Sequence, residues 1–123
     1  MVVALHHVSL LIADLQRSQQ FYEQVLGLSQ IERPNLQFDG LWFALNEDQS
    51  QQLHLLLIPD NITARELPSH VGRDGHFALL VDDLPAHIDR AERAGITYTM
   101  SRSGREAAFL RDPDGNGIEL IAI

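Results

Sequence analysis

Residues His7-Val8-Ser9-Leu10-Leu11-Ile12-Ala13-Asp14-Leu15 return, altered in detail but not in pattern, as His76-Phe77-Ala78-Leu79-Leu80-Val81-Asp82-Asp83-Leu84. Each copy is a histidine, an apolar strand-like run, and an aspartate suited to cap a helix. The copies stand 69 residues apart in a chain of 123. The chain therefore reads as two copies of one module, each opening with a histidine in a strand.

Outward from the first copy, residues 2–12 read as a strand, buried on both faces toward its end. Asp14 caps a helix whose apolar face is Leu15, Phe21, Tyr22, Val25 and Leu26, and Gly27 stops it as a left-handed residue. Strands are expected at 28–33, 41–45 and 53–58, separated by a Pro34-Asn35 turn and a polar loop at 46–52. Outward from the second copy, 75–81 is a strand and Asp83 caps a helix with Pro85 in its first turn. Its apolar positions include Ile88, Ala91 and Ala94, and Gly95 closes it. Strands follow at 96–100, 107–110 and 117–123, the last after the turn Asp112-Pro113-Asp114-Gly115-Asn116. The fold class is α+β: a single domain, 1–123, of two β-α-β-β-β modules (about 1–59 and 74–123) joined by a connection at 60–73.

Composition narrows the function. The length suits one domain, and 45% hydrophobic residues suit a soluble globular chain. The longest apolar runs, 53–59 and 77–81, are far short of the roughly 20 residues of a membrane span. No basic and apolar leader opens the sequence, so the expectation is a cytoplasmic protein with no membrane partner. There is no cysteine, which excludes disulfides, thiolate metal sites and a cysteine nucleophile. The nine basic residues are all arginines, so Schiff-base lysine chemistry is excluded too. A formal charge of −8 speaks against nucleic acid as a partner.

The repeat extends to the module ends. His54 opens the closing run of the first module and Glu119 that of the second, 65 residues apart. Four metal-competent residues, His7, His54, His76 and Glu119, thus occupy two pairs of equivalent positions on the first and last strands. Neutral imidazole and carboxylate together suit a divalent first-row metal, and a pseudo-twofold arrangement of the modules would gather them around a shared cleft. Strand alternation sends His6 and His7 to opposite faces, and the repeat selects His7. Glu119 alternatively faces solvent on an edge strand, and Trp42, Phe43 and Tyr98 are either core or pocket wall. His70 and His87 lie outside the repeat and are expected on the surface. Arg102, Arg105 and Arg111 are either anion contacts or ordinary surface charges.

These residues resemble the vicinal oxygen chelate superfamily, which includes glyoxalase I, extradiol dioxygenases, fosfomycin-resistance thiol transferases, methylmalonyl-CoA epimerase and bleomycin-binding proteins. The resemblance rests on His7-Val8, Asp14-Leu15, Ser18, Phe21-Tyr22, Val25-Leu26-Gly27-Leu28 and Gly75-His76-Phe77-Ala78. It is completed by Phe109-Leu110-Arg111-Asp112-Pro113-Asp114-Gly115-Asn116 and Ile118-Glu119-Leu120. It implies curled mixed sheets around a metal cleft, with His7, His76 and Glu119 as ligands and Glu119 also as general base. His54 falls where glyoxalase I usually has a glutamate and the epimerase a glutamine. The implied cofactor is a divalent ion (Zn, Ni, Mn or Fe), and the implied assembly is a homodimer with sites shared between subunits. The implied activity is a glyoxalase-like lyase or isomerase acting on a small oxygenated metabolite. The alternatives are an Fe(II) extradiol-dioxygenase-like enzyme and a metal-free drug- or metabolite-binding protein of bleomycin-resistance type.

Overall fold

Both halves of the chain fold as β-α-β-β-β in the computed structural model, which describes residues 1–62 and 65–123. The first half holds β1 (His7–Ile12), α1 (Leu15–Gln20) running on into a π-helical turn (Phe21–Val25), β2 (Ser29–Ile31), β3 (Gly40–Ala44) and β4 (Gln52–Leu57). The second holds β5 (His76–Val81), α2 (Leu84–Arg93), β6 (Tyr98–Met100), β7 (Ala107–Arg111) and β8 (Gly117–Ala122). The chain divides into the units Met1–Thr63 and Ala64–Ile123. The expected connection at 60–73 includes Thr63 and Ala64, which lie outside the described residues. Single 3-10 turns form beside them at Pro59–Asn61 and Val71–Arg73. Among the described residues, no helix is long and apolar enough to cross a membrane.

Each unit is one four-stranded mixed sheet, ordered β1-β4-β3-β2 or β5-β8-β7-β6. The first and last strands of each unit pair in parallel, and the other pairings are antiparallel. Alternation along the strands gives every sheet one face toward its helix. In the first unit this face carries Ile12, Leu41, Phe43, Leu53 and Leu55, all buried, with Phe21, Tyr22, Val25 and Leu26 as the buried helical residues. Tyr22 meets Phe43 at a ring separation of 5.9 Å. In the second unit Ala108, Leu110, Ile118 and Leu120 are buried on the corresponding face, and Leu84 and Ala91 are the buried residues of α2. Phe43 is therefore core, whereas Trp42 lies on the other face.

Both helices start and stop as their sequences dictate. Asp14 Oδ1 accepts from the Arg17 amide at 2.8 Å, and Asp83 Oδ1 from the Ala86 amide at 3.0 Å. Gly27 and Gly95 each adopt φ 71, the left-handed conformation that ends a helix at little cost for glycine. The first strand is shorter than its apolar sequence suggests. Pairing begins at His7 because β4 begins at Gln52; the His6 carbonyl still accepts from the Gln52 amide at 3.0 Å, and residues 1–6 are exposed.

Candidate metal centre

Identical registers in the two parallel ladders create the candidate site. His7 lies opposite Gln52, and His76 opposite Gly117. His54 and Glu119 are each two residues further along the neighbouring strand, opposite Ser9 and Ala78, on the same face as the histidine. The structure thus brings together His7 with His54, and His76 with Glu119. β8 lies between β5 and β7, so Glu119 is on an interior strand and not an edge. Among the described residues no group of three or more such side chains forms a metal-holding cluster, and each sheet offers a pair.

The second pair is arranged as metal ligands are. His76 Nδ1 lies 2.8 Å from the Asp74 carbonyl oxygen. A carbonyl only accepts, so Nδ1 carries the hydrogen and the neutral ring keeps its lone pair on Nε2. That atom faces Glu119 Oε2 at 3.4 Å. Donors bound to one ion by bonds of about 2.1 Å at tetrahedral angles stand about 3.4 Å apart, so the residues present fit a divalent metal. A carbonyl fixing the tautomer from behind is the usual support of a metal-binding imidazole. Glu119 is only 5% exposed in its side chain, and its Oε1 accepts from Arg105 at 3.2 Å.

Behind this pair, Asp74 is itself fixed. Hydrogen bonds from Arg65 and then Arg111, each at 2.8 Å, hold its carboxyl well below the usual carboxylate range. Arg111 also donates to the carbonyls of Gly115 and Pro68, which makes it a structural brace and not an anion contact. Phe109 presents an edge to His76 at 5.5 Å, and His70 packs on Phe109 at 5.0 Å. His70 is half-buried rather than a surface residue, because its Nδ1 accepts from the Gly72 amide and starts the second 3-10 turn. His87 is half-buried as well, its Nδ1 2.8 Å from the Asp83 carbonyl one helical turn back.

The first pair stands differently. His54 is sandwiched between Trp42, at 4.0 Å and 5°, and His7, at 4.3 Å and 18°. Its Nε2 lies 2.8 Å from Gln52 Oε1, while the Gln52 amide nitrogen donates to the Gln49 carbonyl. Nε2 is therefore the donor, and Nδ1 keeps the lone pair. Burial first, then the charges of His7, His6 and Arg33, pushes the His54 pKa down to about 4. Neutral imidazole is the form a metal takes. Near-parallel rings, however, point their in-plane lone pairs side by side. A shared ion requires one ring to turn, and His7 is the exposed one.

Sequence alternation placed His6 on the opposite face, but His6 precedes the strand. Its ring lies edge-on to His7, with the two Nδ1 atoms 2.8 Å apart. Gln52, Asp74, Phe109 and Arg105 also carry no signal in the repeat. Each is recruited by register or by a loop; Gln52 and Phe109 follow from alternation once the ladder is known, and Arg105 continues the Phe109 face beyond the start of β7.

Fold and site together define the class. The chain belongs to the Glyoxalase/Bleomycin resistance protein/Dioxygenase superfamily, whose family model matches residues 4–120. It is 30% identical to the glutathione transferase FosA of Serratia marcescens, over 98% of this chain and 81% of that one. It is also 30% identical to Glyoxylase I 4 of Arabidopsis thaliana, over 97% of this chain and 70% of that one. A solved structure of the Listeria monocytogenes fosfomycin resistance protein FosX, an E126Q mutant with Mn(II) and 1S,2S-dihydroxypropylphosphonic acid, shares the fold. Its TM-score is 0.72 at 14% identity, covering 99% of this chain and 93% of that one.

Proposed function

We propose that the protein is a divalent-metal-dependent, glyoxalase-like enzyme of lyase or isomerase type that acts on a small oxygenated metabolite. The observation that carries this reading is the His76–Glu119 pair, with Nε2 and Oε2 held 3.4 Å apart and the His76 tautomer set by the Asp74 carbonyl. The ligand residues are His7, His54, His76 and Glu119, and the ion is Zn, Ni, Mn or Fe. The Mn(II) of FosX supports a divalent ion, and the enzymatic relatives support an enzyme. The working form is a cytoplasmic homodimer with a small molecule as its partner.

When bound, the metal supplies a Lewis acid for adjacent substrate oxygens. His76 keeps Nε2 aimed because Nδ1 is tied to the main chain. The Glu119 carboxylate takes a substrate proton and returns it, as a general base and then an acid. The carboxylate is nearly out of contact with water, which favours return to the same molecule over exchange with solvent. That is the economy of an isomerase.

Metal content after reconstitution, read by mass spectrometry, tests the reading. Stoichiometric metal in the wild type and at least tenfold weaker binding in His76→Ala and Glu119→Gln are expected, followed by turnover in a panel of small oxygenated substrates. A wild type that takes up no stoichiometric metal sinks the idea. A second reading, binding without turnover, draws on the Trp42–His54–His7 ring stack, a platform for a planar aromatic molecule. A ligand-induced thermal shift that survives both chelation and Glu119→Gln, with no turnover, would select it.

A further inference from the structure

We propose that Arg105 competes with the metal for Glu119, and that metal binding frees its guanidinium to hold an anionic group of the substrate. The inference rests on the metal reading above and adds to it a substrate class, a small oxygenated carboxylate.

Arg105 reaches Glu119 from outside the sheet. It sits two residues before β7, on the alternation that carries Ala107 and Phe109, the face of Glu119. Ala107, between Arg105 and Phe109 on this face, is small and fully buried. The preceding loop is closed by the Ser101 amide donating to the Ala107 carbonyl at 2.8 Å, and Gly104, at φ 87, turns the chain immediately before Arg105. The contact is a single hydrogen bond, from one terminal nitrogen to Oε1 at 3.2 Å, and the Arg105 side chain is 57% exposed. Arg111 makes the contrast clear, being 19% exposed and bonded to Asp74, Gly115 and Pro68. A one-point, half-exposed ion pair is weak and readily exchanged.

The exchange follows from charge. Glu119 presents Oε2 to the His76 imidazole and Oε1 to the Arg105 guanidinium, so one carboxylate serves two partners, of which only Arg105 carries a fixed charge. An ion held by His76 and Glu119 would set a double positive charge close to the guanidinium, which already lies 3.2 Å from the Glu119 carboxylate. The exposed arginine yields, because water can solvate it. The short loop then keeps the guanidinium at the edge of the site, where a carboxylate on the substrate replaces Glu119 as its partner.

Calorimetric titration with Mn²⁺ of the wild type and Arg105→Gln, then of both Mn²⁺-loaded proteins with oxalate, tests this. Arg105→Gln is expected to bind Mn²⁺ about 2- to 5-fold more tightly, the size of an exposed ion pair, and oxalate at least about 5-fold more weakly. Mn²⁺ affinity unchanged or weaker in a variant with native circular dichroism overturns the competition. Unchanged oxalate affinity overturns the anion role. Failure of the wild type to bind Mn²⁺, whether or not the variant binds it, overturns the metal reading beneath the proposal.

Discussion

A single imidazole shows how much a site owes to its neighbours. His54 is flanked by two flat rings, tied to Gln52, and pushed to a pKa of about 4. An unfolded histidine takes its proton near pH 6.5. Below that pH the unfolded chain binds a proton that the folded chain refuses, so stability falls as pH drops from about 6.5 toward 4 and is unaffected by this group above 6.5. The loss in the metal-free protein should approach about 3 kcal/mol, and His54→Phe should flatten this part of a denaturation-versus-pH profile. Trp42, the one tryptophan of the chain, stacks on His54 and gives the titration a direct fluorescence readout. A second prediction concerns Asp74, whose carboxylate braces Arg111 while its carbonyl aims His76. Asp74→Ala should lower Mn²⁺ affinity about tenfold through the loosened imidazole, the range found for outer-shell partners. Calorimetry with the intact ligands in place checks it.

At the scale of elements, the two copies of the module are not equally regular. α2 is a simple capped helix, whereas α1 passes into a π-helical turn in which the Leu26 amide bonds to the Phe21 carbonyl. The wider turn accompanies burial of the neighbouring rings Phe21 and Tyr22. Tyr22, fully buried against Phe43, should cost about 3–5 kcal/mol on replacement by alanine, as an aromatic cavity does. Urea denaturation measures it. The turn before β8 depends on Asp112, which is 5% exposed and accepts from the amides of Asp114 and Asn116 and from the Asn116 side chain. Asp112→Ala leaves those donors without their acceptor, at a cost of about 1–3 kcal/mol, and should broaden the NMR signals of β8, including Glu119.

For the whole molecule, the proposed ion is a stabiliser as well as a reagent. A ligand that binds only the folded state at 100 times its dissociation constant adds about 2.7 kcal/mol. Saturation with Mn²⁺ should therefore raise the melting temperature by several degrees. The shift should fall to about half or less in Glu119→Gln and vanish in excess chelator, and differential scanning fluorimetry reads both.

The sequence by itself determined the repeat and the β-α-β-β-β order, because strand alternation, the Asp14 and Asp83 caps and the Gly27 and Gly95 stops act over a few residues. It also determined which four side chains occupy equivalent places, since a constant register follows from a constant module. Tertiary structure alone decided what each of them touches. Pairing limits, not propensity, started β1 at His7 and left His6 free to bend toward it. Placement of β8 between β5 and β7 made Glu119 interior, and a loop arginine 14 residues upstream took its free oxygen. Rings stacked through β3 and β4 set the state of His54. These contacts join residues distant in sequence, and nothing local in a chain records which strand will lie beside which.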